Sequence, residues 1–138
     1  MSEHNTILYT GKTLTTGGRD GHSRSSDGHL DIKLSPPGSA GVGTNPEQLF
    51  GAGWSACFMG AMRLAARARK TDLPVDAAVS AEVDLGQGKD GYFLQARLAV
   101  SLPGLDHELA QALIDAAHQT CPYSKATRGN IDVAIALV

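Results

Sequence analysis

From Thr44 to Lys70 the chain carries about 25 residues in which nothing but glycine opposes a helix. The stretch opens on two overlapping helix-start signals: Asn45 as N-cap with Pro46 at the first helical position, and Thr44 with Glu47 as a capping box. Arg63, Arg67, Arg69 and Lys70 gather at its far end, where cations complement the helix dipole, and Leu73-Pro74 closes it. At 1.5 Å per residue such a helix is about 37 Å long. A compact chain of 138 residues is only about that wide. The helix is therefore expected to cross the molecule, with everything else arranged around it.

The flanking segments read as strands and one further helix. Ile7 to Thr16 has β-branched and aromatic content and ends at Gly17-Gly18. Leu30, Ile32 and Leu34 alternate with Asp31 and Lys33, and the Gly/Pro/Ser-rich run from Ser35 to Gly43 is a loop. Beyond the long helix, Ala77, Val79, Ala81, Val83 and Leu85 alternate with polar residues, Gly86 to Gly91 turns the chain, and Tyr92 to Leu102 alternate again. This predicts an antiparallel hairpin with one wet face. Asp106 can cap an amphipathic helix marked by Leu109, Ala112, Leu113, Ala116 and Ala117, and Ile131 to Leu137 form a last strand. The order predicts a single α+β domain over residues 1–138, with antiparallel sheets around a long central helix.

The surface of that helix is unusual. Gly53, Ala56, Cys57, Gly60 and Ala61 are small and fall on one face. A glycine inside a helix costs about 0.5–1 kcal/mol against alanine, and Gly51, Gly53 and Gly60 all incur it. Close approach of another backbone would compensate, so this face is expected to pack against a second helix, with Phe50, Trp54, Phe58 and Met62 supplying bulk nearby.

Composition narrows the function classes. Hydrophobic residues make up 42% and charged residues 19%, which excludes a disordered chain. A net charge of −2 removes the electrostatic argument for nucleic acid or an anionic membrane as main partner. No run approaches the roughly 18 apolar residues of a membrane span, and the polar start at Met1 reads as no secretory signal, so a cytoplasmic protein is expected. Gly41-Val42-Gly43 lacks the third glycine and preceding strand of a dinucleotide site. His118 and Cys121 have a ligand-like gap, but no second pair repeats it, so no metal and no bound cofactor are expected. There is no Gly-x-Ser-x-Gly elbow for a serine nucleophile. Two cysteines remain. Cys57 lies mid-helix on the small-residue face, and Cys121 precedes Pro122 at the start of a new helical turn. In a reducing compartment they read either as inert packing residues or as reactive groups.

Thr44-Asn-Pro-Glu-Gln-Leu-Phe50, Trp54-Ser-Ala-Cys57-Phe58, Cys121-Pro-Tyr-Ser124 and Arg128-Gly-Asn-Ile-Asp-Val133 resemble the organic hydroperoxide resistance proteins of the OsmC/Ohr family. The likeness runs from the first strand to the last, with Gly51 and Trp54 standing where alanine and tyrosine are more usual. The resemblance implies a thiol peroxidase reducing alkyl and fatty-acid hydroperoxides to alcohols. Cys57 would be the peroxidatic thiol, passing through a sulfenic acid, and Cys121 the resolving thiol that closes an intramolecular disulfide with it. It also implies an intertwined homodimer, Arg19 as catalytic cation with Glu47 as its partner, and an external dithiol reductant, the dihydrolipoyl group of a lipoylated protein. Phe50, Trp54, Phe58, Met62 and Tyr123 would line an apolar substrate pocket.

Physical chemistry adds two demands to that assignment. A free cysteine is only a few per cent thiolate at neutral pH, and Cys57 lies too deep in its helix for the dipole to help, so it needs a cation. Glu47 and Cys57 are ten residues, about 15 Å, apart on one helix, too far for one guanidinium to bridge within one chain. Two antiparallel copies of the helix would bring Glu47 of one to Cys57 of the other, a homodimer with composite sites. The rival readings are a non-catalytic module binding an apolar ligand and a thiol redox sensor.

Overall fold

The computed structural model describes residues 5–138; Met1, Ser2, Glu3 and His4, on which the expectation of no secretory signal partly rests, lie outside them. The chain divides into two compact units, residues 1–46 and 47–138. Among the described residues no helix is long and apolar enough to cross a membrane.

The first unit is a three-stranded antiparallel sheet in the order β1-β2-β3, made of β1 (Thr13–Thr16), β2 (His22–Ser25) and β3 (Asp31–Lys33). Thr13 pairs with Ser25 and His22 with Lys33. A single 3-10 turn, Gly18–Asp20, joins the first two strands. The strand expected from Ile7 is shorter than the sequence suggests. Four-residue β2 offers partners only to Thr13–Thr16, and Ile7, Leu8 and Tyr9 stay 80–94% exposed. Close packing accounts for a glycine at the end of the glycine-rich loop. A Cβ on Gly43 would lie 2.6 Å from the Lys33 carbonyl oxygen, where the chain forms the Leu34–Thr44 bridge.

The second unit contains α1 (Pro46–Ala68), β4 (Ala78–Gly88), β5 (Gly91–Ser101), α2 (His107–Thr120), α3 (Pro122–Thr127) and β6 (Asp132–Leu137). Helix α1 starts with Pro46 at its first position, as the Asn-Pro-Glu signal predicts. It ends in a Schellman motif: Thr71 N–H donates to the Ala66 carbonyl and Lys70 N–H to that of Arg67. The β4–β5 hairpin is longer than expected, because Gly86, Gln87 and Gly88 stay in the strand and only two residues turn it. Phe93 lies across its cross-strand partner Gly86, where a Cβ would be 2.3 Å from the ring. Asp106 caps α2, accepting from Leu109 N–H at 3.3 Å.

One expectation is overturned. Strand β6 joins β5 in parallel, pairing Gln95 with Asp132 through Val100 with Leu137, so this sheet is mixed and not antiparallel. The α2–α3 crossover between β5 and β6 is the helical connection that parallel neighbours require. Alternation identifies which face of a strand is apolar but carries no information on its direction. The core of this unit joins Trp54, Phe58 and Met62 of α1 to Leu98 and Val100 of β5 and to Ile114 and Ala117 of α2.

Candidate active site

Cys57 sits mid-way along α1, and Cys121 is the residue at which α2 ends and α3 begins. Its N–H closes the last turn of α2 on the Ala117 carbonyl, and its own carbonyl accepts from Lys125 N–H in α3. Pro122, which has no N–H to lose, occupies the first position of α3. This joint turns the Cys121 side chain onto α1. The two sulfurs, 64 residues apart in sequence, lie 3.2 Å from each other with both thiols free. Their environments differ: Cys57 is half-buried, whereas Cys121 is fully buried.

A second contact runs beside the first. The Trp54 indole N–H donates to Ser124 Oγ at 3.2 Å, and both residues are fully buried. The exposed Tyr123 continues this cluster to the surface: its ring lies 6.1 Å from that of Phe50, which meets Trp54 edge-on at 5.6 Å. Gly53 makes room for it, since a Cβ there would stand 2.7 Å from the Tyr123 hydroxyl.

The small-residue face is thus only partly what the sequence suggests. Gly53 is approached by a side chain of α3, and Gly51 by Ala81 and Val83 of β4. Apart from the adjoining backbone of α1 itself, no described atom of this chain comes within 4 Å of a Cβ placed on Gly60. No second helix backbone accounts for any of the three within the chain.

Electrostatics in this unit do not favour a thiolate at Cys57. Burial, first, and the hydrogen bond to Cys121, second, push the Cys57 thiol above its ordinary value; the Tyr123 backbone N–H pulls the other way. At the far side of Cys121, Arg128 donates to the His118 carbonyl oxygen and braces the end of α3 against α2. Among the described residues His118 Nδ1 is buried without a partner, and burial followed by the Arg128 charge lowers its pKa.

The other sequence candidates separate. Trp54, Phe58 and Met62 are fully buried core residues, leaving Phe50 and Tyr123 as the two of the five aromatic and methionine candidates with accessible surface. Glu47 lies in the first turn of α1, and Arg19 in the 3-10 turn of the first unit; both are engaged in interactions. Among the described residues no three His, Cys, Asp or Glu side chains gather as a metal site would need. Sequence reasoning did not single out Ser124 or Arg128. The signal for Ser124 was Trp54 itself, because a buried indole N–H requires an acceptor.

The profile of the OsmC-like protein family matches residues 37–136. The chain belongs to the OsmC/Ohr family. Its OsmC/Ohr relatives include the organic hydroperoxide resistance protein of Xanthomonas axonopodis pv. citri, 48% identical over 99% of both chains. Another is the organic hydroperoxide resistance protein OhrB of Bacillus subtilis, 43% identical over 94% of this chain and 98% of its own. The crystal structure of that OhrB superposes with a TM-score of 0.89, covering 96% of this chain and 100% of the other.

Proposed function

We propose that this chain is a thiol peroxidase for organic hydroperoxides, with Cys57 as the attacking thiol and Cys121 as the resolving thiol. The observation that carries the reading is the pair of free sulfurs at 3.2 Å, one accessible and one buried. The relatives named for organic hydroperoxide resistance supply the substrate class. The Cys57 thiolate attacks the outer peroxide oxygen, the O–O bond breaks, and the alkoxide takes a proton to leave as the alcohol. Cys57 is oxidised to a sulfenic acid. The Cys121 sulfur then attacks the Cys57 sulfur, the hydroxyl leaves as water, and the disulfide forms. Phe50 and Tyr123 offer the reacting group an apolar border that suits an alkyl chain.

Raising the Cys57 pKa works against this chemistry, so a positive charge has to act on it. Full ionisation is worth roughly 30-fold, about 2 kcal/mol, and the larger share of the acceleration comes from aligning the peroxide and stabilising the departing alkoxide. The family resemblance gives this role to Arg19, held by Glu47. The site is then composite: Glu47 and Cys57 are separated by about 15 Å along α1, so Arg19 and Glu47 come from the subunit opposite the cysteines of a homodimer. Support for a second copy is the open side of α1, where Ala52, Ala56 and the 66%-exposed Leu64 flank the unfilled space at Gly60. The reductant is an external dithiol, by resemblance a dihydrolipoyl group on a lipoylated protein in the cytoplasm. One of its thiols attacks the accessible Cys57 sulfur and releases Cys121 as the leaving thiol; its second thiol then attacks the mixed disulfide, frees Cys57 and closes the disulfide of the oxidised reductant.

Stopped-flow reaction with tert-butyl hydroperoxide and excess dihydrolipoamide tests the reading. Cys57→Ser abolishes peroxide consumption, and Cys121→Ser permits one attack without a disulfide. An unchanged Cys57→Ser protein overturns the proposal. The raised thiol favours a second reading, a slow redox sensor, which one stoichiometric oxidation without turnover would establish.

A further inference from the structure

Helices α1 and α3 are cross-linked at two levels with a common register. Trp54 and Cys57 are one turn apart on α1, and Cys121 and Ser124 are one turn apart at the start of α3. The indole meets the serine and the thiol meets the thiol, at 3.2 Å in both cases. Residue three further along one helix meets residue three earlier along the other.

We infer that Trp54 and Ser124 are positioning residues for disulfide closure, an inference that rests on the peroxidase reading above. Closure draws the sulfurs from 3.2 Å to about 2.05 Å, with the attacking sulfur in line behind the departing oxygen. Sliding α3 by one turn moves Cys121 by about 5.4 Å, and rotating it by one residue turns its side chain off α1. Helix α3 has only six residues and is tied to α2 at its two ends, by Cys121 N–H on the Ala117 carbonyl and by Arg128 on the His118 carbonyl, but neither bond involves α1. The Trp54–Ser124 bond fixes both slide and rotation one turn from the sulfurs. Because both its ends are fully buried, no water substitutes for it when it breaks. Tyr123, seated in the gap left by Gly53, blocks the slide sterically from the adjoining position.

The two steps of oxidation separate this role from a merely structural one. Rapid-quench mass spectrometry with tert-butyl hydroperoxide measures sulfenic acid formation, disulfide closure and the fraction diverted to sulfinic acid at high peroxide, with thermal unfolding recorded on the same samples. In Trp54→Phe and in Ser124→Ala, the sulfenic step keeps its rate while closure slows about three- to tenfold, the order expected for one buried hydrogen bond, and the sulfinic fraction rises accordingly. The double variant Trp54→Phe/Ser124→Ala leaves neither partner unpaired, and so folds where a single variant fails; its closure is slowed no more than in a single one. Unchanged closure and sulfinic fraction in the double variant overturn the inference, whatever happens to the melting temperature. A wild-type chain that forms no sulfenic acid overturns the peroxidase reading and the positioning role with it.

Discussion

The β4–β5 hairpin and the α1–α3 contact use polar groups in opposite ways. On the wet face of the hairpin, Arg97 donates to Glu82 at 2.9 Å and to both carboxylate oxygens of Asp84 at 2.9 and 3.0 Å, while Gln95 donates to Asp84 at 2.7 Å. Hydrogen bonds from Arg97 and then Gln95 bring the Asp84 carboxyl down to about 2. All of this is solvated, where ion pairs contribute little to stability. The α1–α3 contact has one indole bond and a pair of free thiols, and burial there pushes the Cys57 thiol up, away from ionisation. Perturbed ionisation marks functional sites only on average. In this chain a lowered carboxyl marks a charge ladder, and the thiol pair is found by which side chains meet across the fold.

The contrast breaks most decisively if the thiols need no charge from outside their own unit. Subunits carrying Cys57→Ser, inactive alone, are mixed with subunits carrying Arg19→Ala, also inactive, after co-refolding. In a composite dimer, half the mixed population is heterodimeric with one intact site, restoring about a quarter of the wild-type turnover. No recovery places Arg19 and Cys57 in the same subunit. High activity from a species that sediments as a monomer removes the shared site altogether.

A smaller effect sharpens the other side of the comparison. Asp84→Asn leaves peroxide turnover unchanged, because the hairpin ladder touches neither sulfur. Its consequence is confined to stability and has a definite pH window. The folded-state pKa of Asp84 lies below its unfolded value, so its contribution is present above pH 3.8 and is lost as pH falls towards about 2. Urea unfolding of wild type and variant therefore differs at pH 7 and converges at the acid end. A difference that persists unchanged at pH 2 rejects the ion-pair account.

How much of this was legible depended on the range of the interaction. The start of α1, the Asp106 cap and the placing of Cys121 before Pro122 are local chemistry, and they stand where the residues put them. The parallel direction of β6 is set by the α2–α3 crossover, which strand alternation does not encode. The missing side chain at Gly53 signals only that something comes close, not whether it is a helix; the Tyr123 ring that does so arrives from 70 residues away. Ser124 stands in the Cys-Pro-Tyr-Ser motif, which says nothing of its partner; that becomes visible only when the buried Trp54 N–H is asked for its acceptor.

The least perturbing test concerns Lys70, which has a φ of 58°, the one positive φ outside glycine among the described residues. Such strain often gathers at functional sites. Here it has a local cause: Lys70 is the left-handed residue of the Schellman motif that ends α1, a position where glycine avoids the clash of a Cβ. It also lies about 20 Å along the helix axis from Cys57. Lys70→Gly should therefore stabilise the chain by up to about 1 kcal/mol in chemical denaturation, with the peroxide step and disulfide closure unchanged. Slower turnover in this variant would instead tie the strain to catalysis and extend the functional region along the whole of α1, contrary to a site confined to the two levels where α1 meets α3.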